Sequence, residues 1–142
     1  KKEELQNAIS QIKLVEEQYR VNCFEAWEKQ LEIDFSKKDI ISDIKNKVFP
    51  KVGINFKYKE TSFVALIEYD YNKNNINYGI YTYADKIPKN PIVTNFVKAI
   101  FNESFTEDPH HWWYFCERTS FQKGFKRLKT LIVKIQFQLS KE

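Results

Sequence analysis

A long segment without glycine or proline is the strongest constraint on the fold of this chain. Residues 2–31 contain neither residue, and their apolar side chains recur every three or four positions. The recurring side chains are Leu5, Ile9, Ile12, Val15, Tyr19, Cys23, Trp27 and Leu31. This spacing predicts one long amphipathic helix. Its apolar stripe has two interpretations: a face packed on the following domain, or a coiled-coil-like seam with a second copy over about three to four heptads.

Three segments further along the chain have β-strand patterns. Residues 52–58 and 76–80 alternate between apolar and polar, and residues 63–69 are apolar on both faces until Glu68, as a central strand would be. Strands are predicted at residues 52–58, 63–69 and 76–80, joined by short polar links. Links of this length favour an antiparallel meander. Gly79, inside the third segment, predicts a bulge or a close approach of neighbouring backbone. The aromatic stretch at residues 111–116 predicts a further short strand.

Three shorter helices are predicted around these strands. Ser36 followed by Asp39 has the pattern of a capping box, and Pro50 would end the helix that it begins. Asn90 and Pro91 predict the start of the next helix, and Ser120 the start of the last. The side chains expected to be buried are, in order, Ile40, Ile41, Ile44 and Val48; Ile92, Val93, Phe96, Val97, Ile100 and Phe101; and Phe121, Phe125, Leu128, Ile132, Ile135 and Leu139.

Together these elements predict an α+β protein. We expect a small, mainly antiparallel sheet of three to four strands, packed by helices and preceded by the long N-terminal helix. Residues 1–35 would form that helix, and residues 36–142 the α+β domain. The chain starts with lysine and contains no methionine, which predicts a fragment of a longer protein.

Composition narrows the class of protein. The net charge of +4 is compatible with a nucleic-acid partner without requiring one. No apolar run approaches the roughly 20 residues of a membrane span, and no segment resembles a signal peptide. The two cysteines are too few for a disulfide framework. We therefore predict a cytoplasmic protein with no membrane partner and no cofactor.

The stretch EDPHHWWYFCERTSF, residues 107–121, is the least ordinary part of the sequence. A metal site is disfavoured, because His110 and His111 would point to opposite faces of a strand. The same alternation would put His111, Trp113 and Phe115 on one side and Trp112, Tyr114 and Cys116 on the other. One side would then form a half-exposed aromatic ledge able to stack bases. The alternative is that both tryptophans only anchor the loop to the sheet.

The polar face of the last helix is basic. It carries Lys123, Lys126, Arg127, Lys129 and Lys134. Cations beside aromatic rings are the combination that binds single-stranded nucleic acid, although a charged helix face is more often only solvated. On this hypothesis the nucleic-acid-binding residues are Trp112, Tyr114, Lys123, Arg127 and Lys134.

Few residues are suited to catalysis. Glu68 and Asp70 face the same side of one strand and are weak candidates for holding a divalent cation. The simpler interpretation is a solvated pair at the end of the strand. There is no glycine-rich phosphate loop and no nucleophile–base set. No catalytic residue and no metal site is therefore predicted.

Two stretches, NINYGIYTY at residues 75–83 and HHWWYF at residues 110–115, carry a resemblance to a known superfamily. With the order of helices and strands, they make residues 49–139 resemble the region after the catalytic core in bacterial PD-(D/E)XK nuclease superfamily proteins of the Bacteroidetes and phage-defence type. The resemblance implies a mixed sheet with flanking helices, and a metal held by an Asp and an acidic-x-Lys pair. The strand at residues 75–83 contains neither a carboxylate nor a lysine, so no catalytic residue carries over.

Three functions remain open on this basis. The first is a non-catalytic accessory domain of a nuclease-like protein that contacts DNA through basic and aromatic surface. The second is an interaction or oligomerisation module, a homodimer through residues 1–31. The third and weakest is a degenerate metal-dependent nuclease.

Overall fold

Three α-helices and five β-strands make up the part of the chain that the structure, a computed structural model, describes: residues 1–82, 90–101 and 112–142. The helices are α1 (Lys2–Asp34), α2 (Pro91–Phe101) and α3 (Phe121–Lys141). The strands are β1 (Ile40–Asp43), β2 (Lys51–Tyr58), β3 (Thr61–Asp70), β4 (Asn75–Thr82) and β5 (Trp113–Thr119). The predicted α+β class, with its long N-terminal helix and antiparallel sheet, is confirmed.

The sheet is an antiparallel meander with strand order β1-β2-β3-β4-β5. β3 lies in the centre and is buried on both faces from Phe63 to Asp70. A strand paired on both sides and covered on both faces satisfies its backbone entirely within the sheet. The sheet is wholly antiparallel, and so differs from the mixed sheet that the nuclease-core resemblance implied.

All three helices pack on one face of this sheet and share one apolar core. Phe24 and Trp27 of α1 contact Phe121 of α3, and Trp27 stacks on Phe125 with ring centroids 5.6 Å apart. Phe96 of α2 lies against the aromatic rings of β2 and β3. The C-terminal half of α1 therefore belongs to the same core as the α+β domain.

The predicted helix after Ser36 is wrong. A single 3₁₀ turn, Lys37–Asp39, leads into β1, and Ser36 makes no capping hydrogen bond through its side chain. Ile40 pairs with Ile54 of β2 and joins the core on the helix-covered face. Pairing along the edge of the sheet outweighs the local helix signal for these β-branched residues. The sheet consequently has five strands rather than three to four.

A register shift in the last strand changes which aromatic side chains share a face. Phe115 pairs with Ile80, and Trp113 pairs with Tyr81, so Tyr114 is an extra, bulged residue between them. Phe115 therefore faces the helices, while Trp113 lies on the opposite face. The prediction that Trp113 and Phe115 share one side is wrong, because a bulge shifts the alternation by one residue. His110 and His111 lie outside the described residues.

The helices after the meander start where they were predicted. Asn90 caps α2 by accepting a hydrogen bond from the backbone N–H of Ile92 at 2.9 Å. Val93, Phe96 and Val97 are buried as expected, whereas Ile92 is exposed. In α3 the buried side chains include Leu128, Ile132 and Ile135, again as the spacing indicated. None of the helices in the described ranges combines the length and apolar character that a membrane span requires.

The close approach predicted at Gly79 provides a test of the sheet. A Cβ there would lie 1.9 Å from the carbonyl oxygen of Phe115, a backbone atom that cannot move without separating β4 from β5. We expect Gly79→Ala to lower the free energy of unfolding by about 3 kcal/mol, measured by urea denaturation. At Gly124, in α3, the first atom met is the end of the Ile67 side chain. Gly124→Ala is the control, and should change stability by no more than about 1 kcal/mol. Equal losses in the two variants would contradict the close approach.

Candidate functional site

A row of polar side chains crosses the sheet on the face opposite the helices. The register places Asp43 beside Lys51, Lys51 beside Glu68, Glu68 beside Asn77, and Asn77 beside Arg118. These five residues, one from each strand, are termed the charged row. They lie together because each points to the face of the sheet opposite the helices, while its strand neighbours point to the helix-covered face. The row therefore follows from register, which places residues 75 positions apart in one line.

Glu68 is the most unusual member of the charged row. Its side chain is only 7% exposed. Burial raises the pKa of its carboxyl to about 7, against the partly opposing effects of the Lys51 ammonium and a hydrogen bond with Asn77. The neighbouring carboxylate of Asp70 raises the pKa further. A buried carboxyl that exchanges its proton near neutral pH is typical of binding and catalytic sites.

Asp70 has a structural role in the turn between β3 and β4. Its Oδ1 accepts hydrogen bonds from the backbone N–H groups of Asn72, at 2.9 Å, and Lys73, at 3.3 Å. Asp70 and Glu68 share a side of β3 as predicted, but both are buried, so the interpretation as a solvated pair is wrong. Among the described residues, no group of three or more His, Cys, Asp or Glu side chains is placed to hold a metal ion.

Aromatic side chains stand beside the charged row and enclose a cavity of about 510 Å³. Trp113 packs on the same face as Val64 and Leu66. Trp112 is 36% exposed, and its ring lies nearly parallel to that of Tyr81, with centroids 6.2 Å apart and an angle of 11°. The cavity thus has one charged wall and one aromatic wall.

The residues predicted to bind nucleic acid are not brought together. Tyr114 is 3% exposed, and its hydroxyl accepts a hydrogen bond from the backbone N–H of Asn90. It cannot form an aromatic ledge with Trp112, and that prediction is wrong. Lys123, Arg127 and Lys134 are exposed on α3, which packs on the opposite face of the sheet from Trp112.

Two of the α3 cations have neighbours of their own. Arg127 hydrogen-bonds Tyr78, whose hydroxyl also donates to the Glu117 carboxylate. The Lys134 ammonium lies 5.7 Å from the centre of the Phe101 ring. Lys123 and Lys134 therefore remain the clearest candidates on α3 for contact with a phosphate backbone, since Arg127 already interacts with the Tyr78 hydroxyl.

The N-terminal half of α1 presents a separate apolar surface. Every residue from position 1 to position 19 is exposed, including Leu5 at 63% and Val15 at 69%. The first firm contacts with the rest of the protein come at Tyr19, whose ring is 5.9 Å from that of Phe121, and at Arg20, which lies over Tyr69. Residues 2–18, termed the arm, thus extend roughly 25 Å along the helix axis. The C-terminal half of the apolar stripe packs on the domain, as one of the two interpretations predicted. The N-terminal half of the stripe has no described partner.

Sequence reasoning missed Asn77 and Arg118 as site residues, and it noted Lys51 only as part of a basic cluster with Lys37, Lys38, Lys45 and Lys47. Lys51, Asn77 and Arg118 each sit at an outward position of a strand, so the period-2 pattern marked them as surface residues. The available signal was that Lys51, Glu68 and Asn77 are polar residues at outward positions of three consecutive strands. Only the register brings them to the same row.

Comparisons with known proteins add no relatives to this description. No protein-family model, no curated protein and no solved structure matches the chain.

The raised pKa of Glu68 predicts a pH-dependent effect on stability. The carboxyl has an ordinary pKa of 4.5 when unfolded and about 7 when folded, so ionising it in the folded state costs stability as pH rises through this range. We expect Glu68→Gln to raise the free energy of unfolding relative to the native chain by about 2 kcal/mol more at pH 8 than at pH 5. The measurement is urea denaturation at both pH values. Glu25→Gln, on the exposed side of α1, is the control; the same gain there would show that burial of Glu68 is not the cause.

Proposed function

We propose that this chain is an interaction module that self-associates through the arm of α1. The observation that supports this proposal is the apolar stripe of the arm, which has no described partner. An isolated helix of this length is marginal in water, and amphipathic helices are stabilised mainly by packing of the apolar face. The remainder of α1, anchored in the core by Phe24 and Leu31, supplies the first turns from which the arm extends.

A second copy is the partner that we favour. Two identical stripes related by a two-fold axis cover each other, which is the commonest arrangement of homo-oligomers. Leu5, Ile9 and Ile12 follow the four–three spacing of a coiled-coil seam, and Lys13 and Glu16 give the flanks both signs of charge. Burying the two stripes stabilises the pair by roughly 10 kcal/mol. Association costs of about 4–15 kcal/mol oppose it, so the dimer is expected to have a Kd of some tens of micromolar at best.

Charged substitutions in the stripe test this proposal. At protein concentrations of tens of micromolar and above, we expect light scattering to give a mass approaching twice 17.1 kDa. Ile9→Lys combined with Ile12→Lys should return the mass to that of the monomer, because each copy would bring two ammonium groups into the apolar seam.

The matched control places the same charges on the other side of the arm. Asn7 and Ser10 lie opposite the stripe on the helix. Asn7→Lys with Ser10→Lys should therefore leave the dimer intact. A native chain that stays monomeric at every concentration would rule out pairing with a second copy.

A second candidate function is DNA contact by an accessory domain of a nuclease-like protein. The specific observation is that Lys123 and Lys134 lie on one line of α3 and are both exposed. Together with the net charge of +4, they could neutralise a phosphate backbone. The other support for this candidate is the resemblance of two short sequence stretches to PD-(D/E)XK nuclease superfamily proteins. No observation on the described residues favours the third alternative, a metal-dependent nuclease.

Salt dependence provides the measurement for the DNA candidate. Affinity for duplex DNA should fall steeply with salt, because bound phosphates release counterions. Lys123→Ala with Lys134→Ala should lower the slope of log affinity against log salt by about 2. Lys37→Ala with Lys38→Ala removes the same charge before β1 and is the control. Equal slopes in all three proteins would place DNA binding, if any, away from α3.

A further inference from the structure

The cavity beside the charged row has the size of a ligand site. Its volume of about 510 Å³ falls within the range of small-molecule sites, roughly 300–1,000 Å³. One wall is built on β2, β3, β4 and β5, and so is held by four paired strands. A site on strands of a sheet keeps its geometry better than one on loops.

The charged wall favours an anion. Lys51, Lys73 and Arg118 line the cavity, against the two carboxylates of Glu68 and Asp70. Asp70 is already engaged by the backbone N–H groups of the β3–β4 turn. The balance is therefore positive. An Arg fork and a Lys ammonium together are the usual recognition elements for phosphate.

The aromatic wall favours a planar ring. One side of the Trp112 ring faces that of Tyr81, and the 36% of Trp112 that remains exposed is a surface on which a ring can stack. Stacking of a base on an aromatic side chain is worth about 1–3 kcal/mol. Glu68 and Asn77 also line the cavity, between Lys51 and Arg118 in the charged row.

We propose that the cavity binds a nucleotide, with the base stacked on Trp112 and the phosphate bound by Lys51 and Arg118 at the charged row. A free nucleotide and one nucleotide unit of a single-stranded nucleic acid present the same chemical groups to this site. This site is independent of the arm and of α3, since neither helix contributes a residue to its lining.

The test is isothermal titration of the full chain with deoxyadenosine monophosphate. We expect saturable binding that weakens about tenfold in Trp112→Ala and about tenfold in Lys51→Ala. Lys57→Ala removes a cation from the same strand outside the cavity and should leave the affinity unchanged. Trp112→Phe keeps an aromatic ring and should retain most of the binding.

Three further binding measurements make the result decisive. Inorganic phosphate alone should bind at least about tenfold more weakly than the nucleotide, because it cannot stack. A short oligodeoxyadenylate that binds more tightly than the mononucleotide, with the same dependence on Trp112, identifies a single strand as the source; equal or weaker binding identifies the free nucleotide. Lys123→Ala with Lys134→Ala should leave nucleotide binding unchanged, which separates this site from DNA contact through α3.

Several results would overturn the proposal. The first is that neither deoxyadenosine monophosphate nor the oligodeoxyadenylate binds at millimolar concentration. The second is that the affinity is unchanged in both Trp112→Ala and Lys51→Ala, and the third is that inorganic phosphate binds as tightly as the nucleotide. If Trp112→Ala does not fold, Arg118→Ala and Lys51→Ala decide the outcome, because both side chains lie at the surface of the charged wall and not in the core.

Discussion

The burial of β3 on both faces is the constraint on which the rest of this structure depends. One face carries Phe63, Ala65 and Ile67 into the core beneath the three helices. The other carries Val64 and Leu66 into a smaller apolar cluster with Trp113. Only at its end does the strand become polar on the second face, with Glu68 and Asp70. The charged row begins where this second apolar cluster ends, so the position of the cavity follows from the length of the apolar part of β3.

Burial on both sides also explains the chemistry of Glu68. An ionised carboxylate in a covered sheet position costs free energy unless cations or hydrogen bonds offset the cost. Lys51 and Asn77, on the two neighbouring strands, supply part of that compensation. A ligand that brought further hydrogen-bond donors to Glu68 would complete it. Ionisation of the same residue therefore lowers the stability of the folded protein as the pH rises.

The sequence predicted those elements whose side chains keep one period throughout. α1, α3, β2 and β4 fall in this group, and β3 was predicted as a central strand because it is apolar on both faces. β1 was missed because Ser36 and Asp39 carry a local helix signal, whereas Ile40 is placed by pairing with a strand that comes later in the chain. The orientation of Trp113 was missed because one bulged residue, Tyr114, reverses the alternation. Of the candidate site, Glu68, Asp70 and Trp112 were recognised individually. Their association with Lys51, Asn77 and Arg118 depends on register, which no single stretch of sequence encodes.

The continuity of α1 has a consequence for any larger assembly. The arm and the core-packed segment are one uninterrupted helix of 33 residues, about 50 Å long. A helix without glycine or proline at the junction bends little, so it acts as a rigid spacer rather than a tether. Whatever binds the tip of the arm is held at a set distance and angle from the sheet. In a pair joined through their arms, the two cavities would therefore keep a constant separation.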